Sequence, residues 1–175
     1  FQSNHETKIS YSGSDVLAED GTVLNVFTLE DVLNNSAYYF PIPGKIEAED
    51  YHAMSGIQLE ETTDVGGGHN IGYLDVGDYV EYLVDVAKTG VYDVDYRTAS
   101  DGNTGGIKVS KVEDDGSLTF LHSAFFAPTG GWQEWTTSSK EIYLLKGQQR
   151  LRFEITQPQF NLNWIEFSGM TSTEE

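Results

Sequence analysis

The sequence predicts an all-β domain, a β-sandwich of two antiparallel sheets, on three observations. Segments of strict apolar–polar alternation recur along the chain. Turn signals rich in Gly, Asn and Asp separate them at short intervals. The composition is rich in Gly (18) and Tyr (10), contains no Cys, and offers few good helix runs. A chain of 175 residues is long enough for one domain with a proper core, not for two.

Taken in order, residues 1–40 are polar and weakly patterned, with short apolar pieces such as Val23 to Leu29. They are expected to be a linker or an N-terminal extension that packs partly on the domain. Phe1-Gln2-Ser3 reads as the remnant of a cleaved expression tag. Pro41-Ile42-Pro43-Gly44 punctuates the start of the domain, expected over residues 41–169. Within it, Val80, Tyr82, Val84 and Val86 alternate with Tyr79, Glu81, Leu83 and Asp85. Tyr92, Val94 and Tyr96 alternate with Asp93, Asp95 and Arg97. Leu151, Phe153 and Ile155 alternate with Arg150, Arg152 and Glu154. Each segment reads as a strand with one face in a core and one towards water. Residues 170–175 read as the start of another linker.

Charge narrows the partners. The formal net charge is −18 and the pI is near 4.3, with ten Lys and Arg in all. Nucleic acid is excluded as a partner, because binding it releases counterions through many basic contacts. An anionic membrane surface is disfavoured for the same reason, whereas a neutral polymer or a cation fits. No run of 18 apolar residues occurs, and no signal peptide is read at the start. The absence of Cys excludes a disulfide framework and zinc–thiolate sites without fixing a compartment.

The residues that carry chemistry are aromatic, amide and acidic. Trp132 follows Gly130-Gly131, and Tyr73 follows Gly72 after a glycine triplet. A large ring in a glycine-rich surface loop has little core to enter. Trp132 is read as a plate for the C–H-rich face of a sugar. Tyr73 suits that role and suits packing on its own loop base equally. Asn161, just before the last strand, is either a donor–acceptor for a vicinal diol or, on local grounds more simply, a turn-forming Asn. Asn163 falls inside the strand, where a buried amide needs partners. Glu47 and Glu49 are two adjacent carboxylates with Glu166 near the chain's end. They form either a Ca²⁺ site closed by carbonyls or a solvated acidic edge.

Catalytic readings find little support. Glu47-Ala48-Glu49-Asp50 superficially suggests a glycosidase carboxylate pair, but lacks the retaining endoglucanase spacing Glu-x-Asp-x-x-Glu. The four His are scattered, and no nucleophile elbow or phosphate loop occurs.

Six segments then line up in one order: Ile46-Glu47-Ala48-Glu49-Asp50-Tyr51, Gly72-Tyr73-Leu74-Asp75-Val76-Gly77-Asp78-Tyr79-Val80, Gly90-Val91-Tyr92, Arg97-Thr98-Ala99-Ser100, Thr129-Gly130-Gly131-Trp132-Gln133 and Phe160-Asn161-Leu162-Asn163-Trp164. Over about residues 43–168 the chain resembles family 6 carbohydrate-binding modules. The resemblance implies a galactose-binding-like β-jelly roll. It would be non-catalytic and monomeric, appended to a secreted bacterial enzyme that degrades polysaccharide. It implies a loop site in which Tyr73 and Trp132 clamp a sugar ring and Asn161 bonds its hydroxyls. It implies a second site on a concave sheet face, with Tyr79 as platform and Glu60 and Glu113 as acidic partners. It implies a structural Ca²⁺ held by Glu47, Glu49 and Glu166. The acidic composition is similar to modules of marine laminarinases and agarases, so β-1,3-glucan (laminarin) is the expected ligand and agarose the runner-up. Xylan and a protein-binding sandwich stay open as alternatives.

Overall fold

In the computed structural model, residues 37–169 are described in full, and the strands outside that range by their backbone. Phe1-Gln2-Ser3 and residues 172–175 lie outside the described residues. The chain divides into two compact units, Phe1–Tyr38 and Tyr39–Glu175. The first contains β1 (Glu6–Tyr11), β2 (Val16–Leu17), β3 (Val23–Leu24) and β4 (Phe27–Leu33). β1 pairs with β4, Glu6 opposite Leu33 and Tyr11 opposite Phe27, and β2 pairs with β3. The stretch expected to be a linker or extension therefore contains paired strands, in keeping with its β-branched and aromatic residues.

The second unit contains twelve strands: β5 (Phe40–Ile42), β6 (Gly44–Glu47), β7 (Ala53–Ser55), β8 (Gln58–Glu61), β9 (His69–Gly72), β10 (Tyr79–Val86), β11 (Gly90–Ser100), β12 (Gly105–Val112), β13 (Leu118–Phe126), β14 (Gly131–Leu144), β15 (Gly147–Gln157) and β16 (Asn161–Thr171). One sheet runs β13-β12-β15-β10-β5, with β7 also on β10. The other runs β14-β11-β16-β9-β8, with β6 also on β16. The pairing of β5 with β10 is parallel, and the remaining pairings in both sheets are antiparallel. This is the expected β-sandwich, and among the described residues there is no helix.

Alternation decides which side chains meet between the sheets. Val80, Tyr82, Val84 and Val86 of β10, Tyr92, Val94 and Tyr96 of β11, and Leu151, Phe153 and Ile155 of β15 are all at most 1% exposed. Burying an aliphatic or Phe side chain of this kind stabilises the fold by roughly 1.5–3 kcal/mol. Tyr82 stands edge-on to Phe153, ring centroids 5.4 Å apart, and its hydroxyl donates to the Ala48 carbonyl at 2.8 Å. A buried phenol thus keeps a partner and ties β10 to the turn after β6.

The opposite face of β10 corrects one expectation. Only Asp85 on it is exposed; Tyr79 is half-buried, and Glu81 is 1% and Leu83 7% exposed. Arg150 and Arg152 of β15 reach Glu81 at 2.8 and 2.6 Å. Their apolar stems cover the strand while their heads satisfy the buried carboxylate.

Candidate functional site

Loops at one end of the sandwich converge on a pocket of about 580 Å³, lined by Gln58, Glu60, Tyr73, Leu74, Asp75, Trp132, Gln159, Phe160 and Asn161. Three residues singled out in the sequence, Tyr73, Trp132 and Asn161, are brought together here. Tyr73 leaves the end of β9 with φ 55°. That left-handed conformation is costly for a side chain with a Cβ, and it projects the ring out of the strand's path. The ring is 62% exposed, and that of Trp132, at the start of β14, is 45% exposed. Gly130, with φ 97°, makes the turn that delivers Trp132.

Asn161 forms the floor rather than a turn. It is buried, and its Nδ2 donates to Glu60 Oε2 at 2.8 Å and to the Trp132 carbonyl at 2.9 Å. Both amide hydrogens are therefore committed, which leaves Oδ1 as an acceptor. Asn70 Nδ2 also donates to Glu60 Oε2 at 3.2 Å, and Gln133 Nε2 donates to Asn70 Oδ1 at 3.2 Å. Gln133 Oε1 in turn accepts from the Thr63 N–H at 2.8 Å and from Trp135 Nε1 at 3.3 Å. The chain of amides and carboxylate is rigid because every link is shared. Gly72 is required beneath it: a Cβ there would sit 2.7 Å from Asn161 Oδ1 and 3.2 Å from Glu60 Oε2.

Ser100, at the end of β11, ties three loops around the pocket. Its hydroxyl lies 2.6 Å from the Asn103 carbonyl oxygen and 2.8 Å from that of Gln159. Its own carbonyl accepts from the Thr129 and Gly130 N–H groups at 3.0 and 3.1 Å. Beside it, the 62–68 loop is anchored by Asp64, which accepts from Arg97 Nε and Nη2 at 2.8 and 2.7 Å and from Asn163 Nδ2 at 2.9 Å. Hydrogen bonds from Arg97 hold the Asp64 carboxyl down at about 2, against an ordinary 3.8. The same carboxylate gives the buried Asn163 amide the partner its strand position demands.

Tyr79, Glu60 and Glu113 do not form one site. Tyr79 lies in β10 and Glu60 in β8, strands of different sheets. Glu60 therefore moves to the loop site, brought there by pairing of β8 with β9 that sets Glu60 opposite Asn70. Glu113 stands in the turn after β12, held by Lys111 Nζ at 2.5 Å and Thr119 Oγ1 at 2.7 Å. The residue opposite Tyr79 on β15 is Glu154, which pairs with Lys108 at 2.7 Å. The Tyr79 ring itself is covered: the Arg152 guanidinium lies 3.9 Å from its centroid.

The three carboxylates considered for a cation are also spread out. Glu47 pairs with Lys45 at 2.8 Å and stands opposite Trp164 on β16. Glu166 stands opposite Lys45, not opposite Glu47 or the turn that carries Glu49. Glu49, in the turn after β6, accepts from the His69 N–H at 3.0 Å through Oε1. Its Oε2 is buried without a hydrogen-bond partner, an atom that fits a cation. Among the described residues no three His, Cys, Asp or Glu converge on a metal position.

Gln58, Asp75 and Gln133 entered no sequence reading of the site, and Gln159 entered only as part of the loop 156–161, expected with the loops 62–71 and 101–106 to decide the ligand. Gln133 and Asp75 lie within the segments quoted above, one residue from Trp132 and two from Tyr73. Gln58 has no local signal, since only the pairing of β8 with β9 sets it opposite Gly72, beside the pocket.

The sequence matches the family described as "Carbohydrate binding module (family 6)" over residues 47–169. It is 37% identical over 124 residues to the clotting factor G alpha subunit of Tachypleus tridentatus, covering 70% of this chain and 18% of that protein. The chain thus spans under a fifth of the length of that curated relative. Among solved structures, it is similar to a family 6 module of Cellvibrio mixtus lichenase 5A in complex with cellotriose, at 36% identity and TM-score 0.65, covering 73% of this chain and 98% of that one. It is likewise similar to a β-1,3-glucan-binding family 6 module from Bacillus halodurans, at 33% identity and TM-score 0.68, covering 75% and 100%.

Proposed function

The chain belongs to family 6 of the carbohydrate-binding modules, which bind without catalysis, and from that premise we propose that its loop pocket holds a neutral β-glucan, foremost a β-1,3-glucan such as laminarin. One observation carries this reading. Two exposed rings, Tyr73 and Trp132, stand over a floor of acceptors, Glu60 and Asn161, in a pocket lined by no Lys or Arg. Rings suit the C–H face of a pyranose, and carboxylate and amide oxygens accept from its hydroxyls. Glu60 and Asp75 repel uronates and sulfate esters, so the ligand is uncharged.

The B. halodurans module, named for β-1,3-glucan binding, supports laminarin over other glucans. The cellotriose complex of the C. mixtus module keeps β-1,4-glucan in play. Agarose and xylan are the remaining alternatives. In this reading the chain works as a module of a larger, secreted bacterial glycoside hydrolase. It concentrates the enzyme on its polymer, and a second weak contact on the same chain would add avidity.

Titration calorimetry tests the reading, with laminarin, cello-, agaro- and xylo-oligosaccharides against the wild type and Trp132→Ala. Heat with laminarin that falls roughly ten- to a hundredfold in affinity in the variant is the expected result. Binding that survives Trp132→Ala moves the site away from this pocket. A wild type silent towards all four glycans sinks the carbohydrate reading of this pocket.

A structural Ca²⁺ is proposed at the end of β6, centred on Glu49 with Glu47 as a second ligand. The orphaned Glu49 Oε2 supports it. Glu166 does not fit the same ion, because the register of β16 with β6 carries it away. Bound there, the ion would staple β6 to the start of β9 through Glu49. At a hundredfold excess over Kd it would add about 2.7 kcal/mol. Thermal melts with Ca²⁺ and with chelator, on wild type and Glu49→Ala, check this. A Tm indifferent to Ca²⁺ in the wild type removes the ion from the account.

A further inference from the structure

Among the described residues, two non-glycine positions adopt a positive φ, Tyr73 at 55° and Gln159 at 69°. Both line the one pocket described above. Left-handed backbone is costly for a residue with a Cβ. Glycine would occupy either position without that cost. Strained backbone kept where a cheaper residue exists marks a side chain that is wanted for another purpose. For Tyr73 the purpose is plain from its exposed ring. The same signature stands at Gln159, whose side chain is exposed and whose role is otherwise unassigned.

Its surroundings confirm a held position rather than a loose loop tip. The buried Ser100 hydroxyl grips the Gln159 carbonyl oxygen at 2.8 Å, and the same hydroxyl meets Asn103. The next residue, Phe160, is fully buried against Phe126, ring centroids 5.2 Å apart. Asn161 follows on the floor. The backbone of Gln159 is thus clamped on both sides, while no hydrogen bond is formed by its side-chain amide within the described residues. That amide offers two donors and an acceptor at the pocket wall. Gln58 is the other glutamine amide of the lining, and the Tyr73 hydroxyl and Trp132 indole N–H sit on the two rings; the floor itself offers acceptors, the carboxylate of Glu60 and the Oδ1 of Asn161, with the carboxylate of Asp75 beside it.

We propose that Gln159 is a ligand-binding residue of this pocket that selects among neutral glycans, donating its side-chain N–H to a sugar oxygen that the acceptor-rich floor is unable to engage. The ring and glycosidic oxygens of an oligosaccharide have no hydrogen of their own and need such a donor. Gln159 therefore helps to set which linkage is preferred, whereas the floor reads hydroxyls alone. This inference rests on the carbohydrate reading of the pocket.

The test uses the whole chain and three variants, Gln159→Gly, Gln159→Ala and Trp132→Ala, with laminari- and cello-oligosaccharides in calorimetry and with thermal melts. Gln159→Gly removes the amide and relieves the backbone. Gln159→Ala removes the amide and keeps the Cβ and its strain. The expected result is affinity about three- to tenfold weaker in both, a changed laminari/cello ratio, and a Tm at or above wild type in Gln159→Gly. A merely structural role for Gln159 gives wild-type affinity in Gln159→Ala, and that result overturns the proposal. Weakening in the Gly variant alone also overturns it, because loop order and not the amide would then be responsible. A wild type that binds neither ligand is the separate failure, of the pocket reading itself, and takes this inference with it.

Discussion

The loop pocket and the outer face of β10 are built from the same materials and come out opposite. Each has a tyrosine with a carboxylate close by, Tyr73 with Glu60 and Tyr79 with Glu81. At the pocket the ring is 62% exposed, and the carboxylate is bound only by amides, through Oε2. On the sheet face a guanidinium covers the ring at 3.9 Å, and the carboxylate is 1% exposed between two arginines. Cations are what differ. Where Arg supplies the partner, the charge is satisfied internally and a guanidinium already sits on the ring. Where Asn supplies it, the charge keeps spare lone pairs and the rings stay open. The comparison teaches that an exposed aromatic matters less than what already sits on it.

The comparison breaks most visibly at Arg152. Arg152→Ala leaves Glu81 buried beside Arg150 alone and uncovers Tyr79. It is expected to cost on the order of 2–3 kcal/mol in denaturant unfolding, with laminarin affinity at the loop pocket unchanged. A loss below about 0.5 kcal/mol would show that Arg150 by itself satisfies Glu81.

Gly72→Ala sharpens the other side. The new Cβ must displace Asn161 Oδ1 or Glu60, which it would meet at 2.7 and 3.2 Å. Oligosaccharide affinity should fall about tenfold, with roughly 1 kcal/mol of stability lost. Calorimetry showing wild-type affinity would mean the floor geometry is not what holds the ligand.

The smallest effect concerns acid. Asp64 anchors the 62–68 loop with its carboxyl held at about 2, below an ordinary 3.8. A depressed carboxylate stabilises the fold above its unfolded value and loses that contribution as pH falls through the folded value. Wild-type stability should therefore decline between about pH 4 and pH 2 through this group. Asp64→Asn should lower stability at neutral pH by on the order of 1 kcal/mol and flatten that part of the pH profile. Parallel acid profiles for the two proteins would remove Asp64 from the account.

Much of this was legible in the sequence. Alternation in β10, β11 and β15 named the inward residues one by one, because a strand has only two faces and apolar residues fill one of them. Glycine before an aromatic named Tyr73 and Trp132. What alternation did not show is that Glu81 and Leu83 on the other face are covered, since the arginines that cover them belong to a strand some seventy residues away. Nor did it show that Glu60 belongs beside Asn161, 101 positions later. Local pattern reports periodicity and turn chemistry, which depend on neighbours in the chain. By itself the sequence determined the fold class, the inward residues of β10, β11 and β15 and, with the family resemblance, the two rings of the pocket. Tertiary structure alone decided that Glu60 and Gln159 join those rings and that Tyr79 lies beneath Arg152, because each depends on strand pairing that brings distant side chains within hydrogen-bond reach.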